Sequence, residues 1–305
     1  MSFSKIHLKY LSALLSTLVL VGCASGPATP PLSDVPVVIP TVTKKPLRIG
    51  LVLGGGAARG FAHVGVIQVL EEAGIRPSLV VGTSAGSLVA AFYASGKTGR
   101  QLQQVAETME EAAFADWTLP IFSRGVLRGE ALARYVSAQV SGRLIENMPL
   151  PLGIVATDLN SGLGVLFQRG DTATAVRASS AVPALFQPVK IAGREYVDGG
   201  LVSPVPVRYA RQMGAELVIA VDISSAPETN AASDTLEILV QTFTIMSKSI
   251  NTFELKDADV VVRPLLLSVG SSNFSARRQA IEAGRVAMTA LLPQLRLVLG
   301  SATSQ

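Results

Sequence analysis

The chain has 305 residues, of which 49% are hydrophobic and 16% charged, and it contains 27 glycines. This composition excludes a disordered protein and predicts a large buried core. The formal charge is +4 and falls to +2 (4 − 2) without Lys5 and Lys9, which lie in a predicted leader. No long basic run remains, so nucleic acid is not an expected partner.

The N-terminus has the pattern of a lipoprotein signal peptide. Two lysines precede an apolar run at 10–21, which is too short to span a bilayer as a helix. The ending LVGC at 20–23 resembles the bacterial lipobox, in which the signal peptidase cuts before the cysteine and the cysteine carries the lipid. We therefore expect a signal peptide over 1–22 and lipidation of Cys23. The alternative is an ordinary secretory peptide or an uncleaved anchor.

The residues after Cys23 indicate where in the cell the protein is located. Ala24 stands where lipoproteins retained at the inner membrane often have aspartate, so we expect a bacterial envelope protein, at the outer membrane if the cell is Gram-negative.

Residues 23–46 are rich in proline and have no amphipathic period, which is typical of an extended tether. Cys23 is the single cysteine, so an intramolecular disulfide is excluded.

Beyond the tether, short apolar runs alternate with helical periods. We predict one α/β domain over 47–300, with a mainly parallel central sheet covered by helices on both faces, and a C-terminal tail at 301–305. The predicted strands are 47–53, 79–83, 154–158, 217–223 and 260–262. The predicted helices are 62–73, 85–95, 128–140, 206–213 and 276–297.

The first glycine-rich run, GGGAARG at 54–60, lies between the first predicted strand and its helix. A dinucleotide fingerprint fails because Arg59 stands where the third glycine is needed, and a P-loop fails because Phe61 stands where lysine is needed. Successive backbone N–H groups at a helix N-terminus still favour an anion. We therefore predict an oxyanion hole here, with a tight turn as the alternative.

Ser84 lies at the corner between a predicted strand and a predicted helix, within GTSAG at 82–86. A serine on such a sharp turn needs small neighbours, and Gly82 and Gly86 supply them. The pattern is weak alone, because a serine often simply caps a helix. It follows the glycine run by one βα unit, however, and this order favours Ser84 as a nucleophile.

The base that would activate Ser84 is not evident from spacing. No histidine follows it, and His63 lies one turn into the helix after the glycine run, where packing or local hydrogen bonding is the more common role. Asp198 ends a further short strand predicted at 195–198, and Asp158 and Asp222 also lie at strand ends, where aspartate is often turn chemistry. Two glycines after Asp198 leave it uncrowded and favour it.

Three of these motifs resemble the patatin-like phospholipase family in kind and in order: GGGAARG at 54–60, GTSAG at 82–86 and DGG at 198–200. The run ASSAVPA at 178–184 resembles a further segment of the family. The resemblance covers nearly all of 47–300 and is greatest to the small bacterial branch. The lipobox and tether are additions that it does not explain.

The resemblance implies a serine–aspartate dyad with Ser84 as nucleophile and Asp198 as general base. It also implies an oxyanion hole, to which Arg59 adds positive charge. The residues assigned to this hole are Gly54, Gly55, Gly56, Ala57 and Arg59. The implied reaction is hydrolysis of phospholipid or lysophospholipid acyl esters without metal or cofactor. The alternative is a non-catalytic, lipid-binding envelope lipoprotein that keeps the fold.

Two apolar patterns are compatible either with core packing or with contact with lipid. One is the loop-like stretch that contains Trp117, Leu119, Ile121 and Phe122, for which core packing is favoured over the mouth of an acyl-chain site. The other is a stripe on a predicted long helix, for which a core role is favoured over a dimer or membrane face. Its members are Leu236, Leu239, Phe243, Met246, Ile250 and Phe253.

Overall fold

The computed structural model describes residues 46–109, 116, 125–224, 235–267, 269–270 and 273–303. These residues belong to a compact unit that spans Lys45–Gln305. The predictions for the signal peptide, for Cys23 and for the tether before residue 46 lie outside the described residues. So do those for Trp117, Leu119, Ile121 and Phe122.

Eight of the described strands form one sheet, in the order β10-β9-β1-β2-β4-β8-β7, with β5 paired to β4. The five strands from β10 to β4 are parallel, whereas β5 and β8 run antiparallel to β4, and β7 antiparallel to β8. Two further strands, β3 and β6, pair separately. The strands are β1 Ile49–Leu53, β2 Leu79–Thr83, β3 Gly125–Leu127, β4 Leu152–Asp158, β5 Gly164–Phe167, β6 Ala184–Phe186, β7 Val189–Ile191, β8 Arg194–Asp198, β9 Leu217–Val221 and β10 Val260–Val262.

Helices cover both faces of this sheet. Along β1, Leu51 and Leu53 pack in one core cluster with side chains of α1, α2 and α8, whereas Val52 packs in a second cluster with side chains of α6. This alternation follows from the two-residue period of a strand, and apolar residues on both faces require two covering layers. The helices are α1 Ala62–Glu72, α2 Ala85–Ala94, α3 Gly99–Thr108, α4 Glu130–Gln139, α5 Thr172–Ser179, α6 Val207–Gln212, α7 Thr235–Glu254 and α8 Arg277–Thr303.

The predicted fold class, a mainly parallel sheet between helical layers, is confirmed. The bounds of β2 and β10 agree with the predicted ones, and most other predicted elements differ by one to three residues at an end. The antiparallel strands β5 and β7 and the helices α3 and α5 were not predicted. The edge strand β7 has the sequence VKI and lacks the continuous apolar run that marks β9.

The core role favoured for the stripe on α7 is wrong for three of its members, whereas Phe243 and Ile250 are half-buried and the side chain of Leu236 lies outside the described part of the chain. Leu239, Met246 and Phe253 are exposed, as are Ile238 and Ile245 beside them, with exposed fractions from 44% to 68%. The helix instead buries a polar edge, described below. Within the described ranges, no helix has both the length and the apolar character needed to cross a bilayer.

Candidate active site

Ser84 occupies a strained corner between β2 and α2. Its backbone has φ +52° and ψ −124°, an unfavourable conformation for a residue that has a side chain. The neighbouring glycines allow the corner to close: a Cβ on Gly82 would lie 2.4 Å from the Gly86 carbonyl oxygen, and one on Gly86 would lie 2.0 Å from that of Leu53. The structure therefore places Ser84 on a strand-to-helix elbow, half-buried at the end of the sheet.

Hydrogen bonds hold the backbone of Ser84 on both sides. Its N–H donates to Oγ of Ser179 on α5, at 2.9 Å, and that hydroxyl donates in turn to the Val155 carbonyl of β4, at 2.5 Å. Its carbonyl accepts from the N–H and the hydroxyl of Ser87, at 2.8 and 2.6 Å. Ser179 belongs to the run at 178–184, which residue spacing alone did not single out.

Asp198 ends β8 and is almost fully buried, with 1% of its surface exposed. It lies opposite Ala156 in the antiparallel pair with β4, and its N–H donates to the Ala181 carbonyl at 2.9 Å. The following glycine permits this position, because a Cβ on Gly199 would lie 2.3 Å from the Val155 carbonyl oxygen. The double glycine thus allows the aspartate to reach the ends of β2 and β4.

Burial raises the pKa of Asp198 to about 7, and the N–H of Gly200 and the hydroxyl of Ser84 oppose this rise as hydrogen-bond donors. The Gly200 N–H lies 2.7 Å from Oδ1, whereas Oδ2 has no partner of standard hydrogen-bond geometry among the described residues. The Ser84 hydroxyl is therefore close to the carboxyl group without forming a short, well-aligned bond. Such loose contacts are common in active sites without substrate.

The other two strand-end aspartates make local contacts. Asp158 accepts from the N–H groups of Asn160 and Ser161, each at 3.0 Å, and pairs with Arg194 at 3.2 Å. These contacts, the Ser161 N–H foremost, lower the pKa of its carboxyl group. This is the turn chemistry that strand-end aspartates commonly show.

Asp222 likewise makes contacts near its own strand end. It accepts from the N–H and the hydroxyl of Ser224, at 3.1 and 2.6 Å, and pairs with Arg263 at 3.4 Å. Of the three candidates, Asp198 is therefore the one whose carboxyl group the Ser84 hydroxyl influences.

His63 is completely buried in α1 and hydrogen-bonds to the glycine run. Its Nε2 lies 2.8 Å from the Gly54 carbonyl oxygen, and its Nδ1 has no partner among the described residues. Burial lowers the pKa of the imidazole to about 4, so the ring is neutral near pH 7 and Nε2–H donates. Neither nitrogen is hydrogen-bonded to Ser84 or to Asp198, so His63 supports the loop.

Some backbone N–H groups of the glycine run form hydrogen bonds within the fold, and others do not. The N–H of Gly54 donates to the Val221 carbonyl at 3.0 Å, and that of Gly55 donates to the Pro204 carbonyl at 2.9 Å. Both groups therefore donate within the fold in this arrangement, and a role of Gly54 and Gly55 as oxyanion donors stays a prediction. Gly55 instead faces the serine, since a Cβ there would lie 3.3 Å from Cβ of Ser84.

The remaining predicted residues of the run differ in role. Within the described part of the chain, the N–H groups of Gly56 and Ala57 donate no hydrogen bond, and Ala57 has φ +49° at the start of a short 3₁₀ helix. Arg59 is buried, and its Nε donates to the Val269 carbonyl at 2.9 Å. Arg59 therefore ties the glycine run to the loop before α8.

One further donor was missed by the sequence analysis. The N–H of Ala85 follows the serine at the first turn of α2 and donates no hydrogen bond to a described residue. In nucleophile elbows, the N–H after the nucleophile commonly supplies one half of the oxyanion hole. This general property of nucleophile elbows could have identified the N–H of Ala85 from the sequence.

Together, the fold and the site define an α/β protein with a serine elbow beside a buried aspartate and a glycine loop. The family model described as patatin-like phospholipase matches residues 51–211. An uncharacterised NTE family protein of Mycobacterium tuberculosis is 36% identical over 187 residues, covering 61% of this chain and 52% of the relative. Patatin-like phospholipase domain-containing protein 6 of Mus musculus is 35% identical over 193 residues, covering 61% of this chain and 14% of the relative.

Among solved structures, VipD from Legionella pneumophila has 16% sequence identity and a TM-score of 0.46, covering 82% of this chain and 68% of that one. The chain spans about half the length of the first curated relatives that it matches. The matched family model covers more than half of the chain. The chain belongs to the patatin-like phospholipase family.

Proposed function

We propose that this protein is a serine hydrolase of lipid acyl esters, of the phospholipase or lysophospholipase type. Ser84 is the nucleophile and Asp198 the general base. The observation that carries the proposal is the pairing of a strained, accessible serine with a buried carboxyl group whose pKa lies near 7. A base works best when its pKa is close to the working pH, and an ordinary solvated aspartate is too acidic for this task.

The reaction needs no histidine in this arrangement. Asp198 accepts the hydroxyl proton as Oγ of Ser84 attacks the ester carbonyl, and the resulting tetrahedral intermediate carries the charge on its oxygen. The C–O bond to the alcohol then breaks, and the alcohol leaves with the proton from Asp198. Water attacks the acyl-enzyme by the same route and releases the fatty acid and Ser84.

The oxyanion is held by backbone N–H groups that the fold leaves without partners. We assign this role to Gly56, Ala57 and Ala85, on the two loops that flank the serine. Such donors act through fixed dipoles, and losing one typically costs about 3 kcal/mol in the transition state. The neutral ring of His63 supports this assignment because it fixes the Gly54 carbonyl and thereby the start of the loop.

The apolar surface of α7 supports a lipid substrate. Between 238 and 253, Lys248 is the one charged residue, and the outward side chains are mainly apolar. The helix lies over the turn that carries Asp198, since a Cβ on Gly200 would lie 2.7 Å from Cζ of Phe243. An exposed face that is rich in apolar side chains and lies next to the site suits a substrate presented in a micelle or membrane.

The proposal is tested by hydrolysis assays on the purified full chain in detergent. Wild type and Ser84→Ala are compared on a short-chain nitrophenyl ester and on a lysophospholipid. Hydrolysis of both by wild type, and of neither by the variant, is expected. If both proteins are inert on both substrates while lipid still binds, the protein is the non-catalytic lipid-binding lipoprotein instead.

We also propose that the protein is anchored to the bacterial envelope, at the outer membrane of a Gram-negative cell, through lipid on Cys23. The lipobox and the proline-rich segment at 23–46 support this. Incorporation of labelled fatty acid and membrane fractionation test it. Cys23→Ser is expected to carry no label, because a hydroxyl group cannot form the thioether, and a labelled variant would contradict the anchor.

A further inference from the structure

A second cleft opens beyond the ends of β9 and β10, apart from the serine elbow. It has a volume of about 470 Å³ and lies between α7 and the segments that follow the two strands. Three cations line it, namely Lys248 and Lys256 from the α7 region and Arg263 after β10. Asp222 is the one carboxylate among the lining residues.

The charge of this cleft is strongly positive. Asp222 is already paired with Arg263 at 3.4 Å and accepts two hydrogen bonds from Ser224. Lys248 and Lys256 form no ion pair with any described residue, and Lys256 rests with its Nζ 5.1 Å from the ring centroid of Phe253. Two unpaired ammonium groups at one concave site favour an anionic ligand.

Asn251 also points to a ligand. It lines the same cleft with 3% of its surface exposed, and neither its amide nitrogen nor its amide oxygen has a partner among the described residues. A buried amide without hydrogen bonds is costly, so native proteins rarely keep one without a use. An anion at the cleft would accept from its NH₂ group.

The cleft is adjacent to the glycine run. Asp222 and Ser224 line it shortly after Val221, whose carbonyl accepts a hydrogen bond from the N–H of Gly54 in the run, at 3.0 Å. In the sheet order, β9 is two places from β2, so its end lies about 10 Å from the elbow at the usual strand spacing. The glycerol unit of a phospholipid and an extended lysine side chain are together long enough to bridge this distance.

We infer that this cleft binds the phosphate group of a phospholipid or lysophospholipid whose acyl ester lies at Ser84. This inference rests on the proposed function and adds a headgroup subsite to it. Lys248 and Lys256 supply the charge, and the Asn251 amide supplies a directed donor. The same chemistry would also hold free inorganic phosphate, so the experiment must separate the two sources.

The binding arm uses the full chain with Ser84→Ala, titrated calorimetrically with inorganic phosphate, glycerol phosphate and glycerol. The two phosphates are expected to bind and glycerol is not. Adding Lys248→Gln with Lys256→Gln should weaken phosphate binding at least about tenfold, as expected when charge-assisted contacts are lost. Lys190→Gln on β7, at the opposite edge of the sheet, is the matched control and should bind as before.

Asn251→Leu separates a ligand role from a structural one. It should weaken phosphate binding while thermal stability stays level or rises, because an unpartnered buried amide is removed. A marked fall in stability with unchanged phosphate binding would overturn the role of Asn251. Phosphate affinity that survives in the double lysine variant would overturn the site itself.

The hydrolysis arm uses the active enzyme. The double lysine variant should lower kcat/KM for a lysophospholipid relative to that for a nitrophenyl ester by about tenfold, mainly through KM. If phosphate binding is lost but this ratio is unchanged, the ligand is free phosphate and the headgroup assignment is wrong. An enzyme inert on every ester refutes the proposed function, and the calorimetric arm still decides whether the cleft binds phosphate.

Discussion

The backbone N–H of Ser84 donates a hydrogen bond to Oγ of Ser179, although 95 positions separate the two residues in the chain. The same hydroxyl bonds to the Val155 carbonyl, so one small side chain joins the serine elbow to α5 and β4. The strained conformation of Ser84 is maintained by contacts of this kind, which do not involve its own side-chain oxygen.

Replacing Ser179 with alanine should therefore impair both stability and catalysis. Ser179→Ala leaves the partly buried N–H of Ser84 unpaired, and an unpaired buried donor typically costs about 1–3 kcal/mol. We expect a lower melting temperature and a kcat reduced by about tenfold or more, because a displaced nucleophile reacts slowly. Ser180→Ala, on the half-buried neighbour, is the control; equal kinetics of the two variants would show that the Ser179 hydrogen bond is dispensable.

Gly55 tests the fit between the glycine run and the serine. Gly55→Ala places a Cβ 3.3 Å from Cβ of Ser84 and 3.5 Å from the Thr83 carbonyl oxygen, so the elbow must shift by a few tenths of an ångström. We expect kcat to fall by about tenfold with little change in melting temperature. Gly300→Ala, with open space around it, is the control for the same substitution. Full activity in Gly55→Ala would indicate that the loop tolerates a side chain there.

The raised pKa of Asp198 predicts how activity depends on pH. In the proposed mechanism catalysis needs the base form of Asp198, so kcat/KM for a neutral ester should rise as pH increases and level off above about 7. The midpoint is measured from the pH profile of wild type. A profile that is flat from pH 5 to 8 would mean that no group with such a pKa controls the reaction.

The same shift affects stability with a defined sign. Between about pH 4 and 7 the native Asp198 retains a proton that the unfolded chain has lost, so this group makes the protein less stable as pH rises through that window. The melting temperature of Asp198→Asn should therefore equal or exceed that of wild type at pH 8. Any gain in melting temperature over wild type should be smaller at pH 4. Asp158→Asn is the opposite control, because the lowered pKa of Asp158 contributes stability above its unfolded pKa.

Several elements could be predicted because their signals are local. Doubly covered parallel strands appear as apolar runs, and for β2 and β10 this was sufficient to place both ends. The elbow at Ser84 follows from small residues within two positions of it. The close approach of Asp198 was indicated by the two glycines that follow it.

Other features depend on partners far along the chain. The N–H groups of Gly54 and Gly55 are occupied by carbonyl groups of residues about 150 or more positions later, Val221 and Pro204, so no local pattern distinguishes them from the free donor of Gly56. On α7, the period of three and four residues identified an apolar face, but periodicity does not show what covers that face. Its exposure emerged only from the packing.

The role of Asp198 as the base for Ser84 is tested most directly by comparing kcat/KM of His63→Ala and Asp198→Asn on a soluble nitrophenyl ester. Asparagine keeps the shape of aspartate but cannot accept the proton, so Asp198→Asn should lose about 10²–10⁴-fold. His63→Ala should keep a substantial part of the activity, because its ring is bonded to the Gly54 carbonyl and not to the serine. Asp158→Asn and Asp222→Asn should resemble His63→Ala, with folding of each variant checked by thermal melting. A folded His63→Ala as inactive as Ser84→Ala, beside an active Asp198→Asn, would contradict the serine–aspartate dyad.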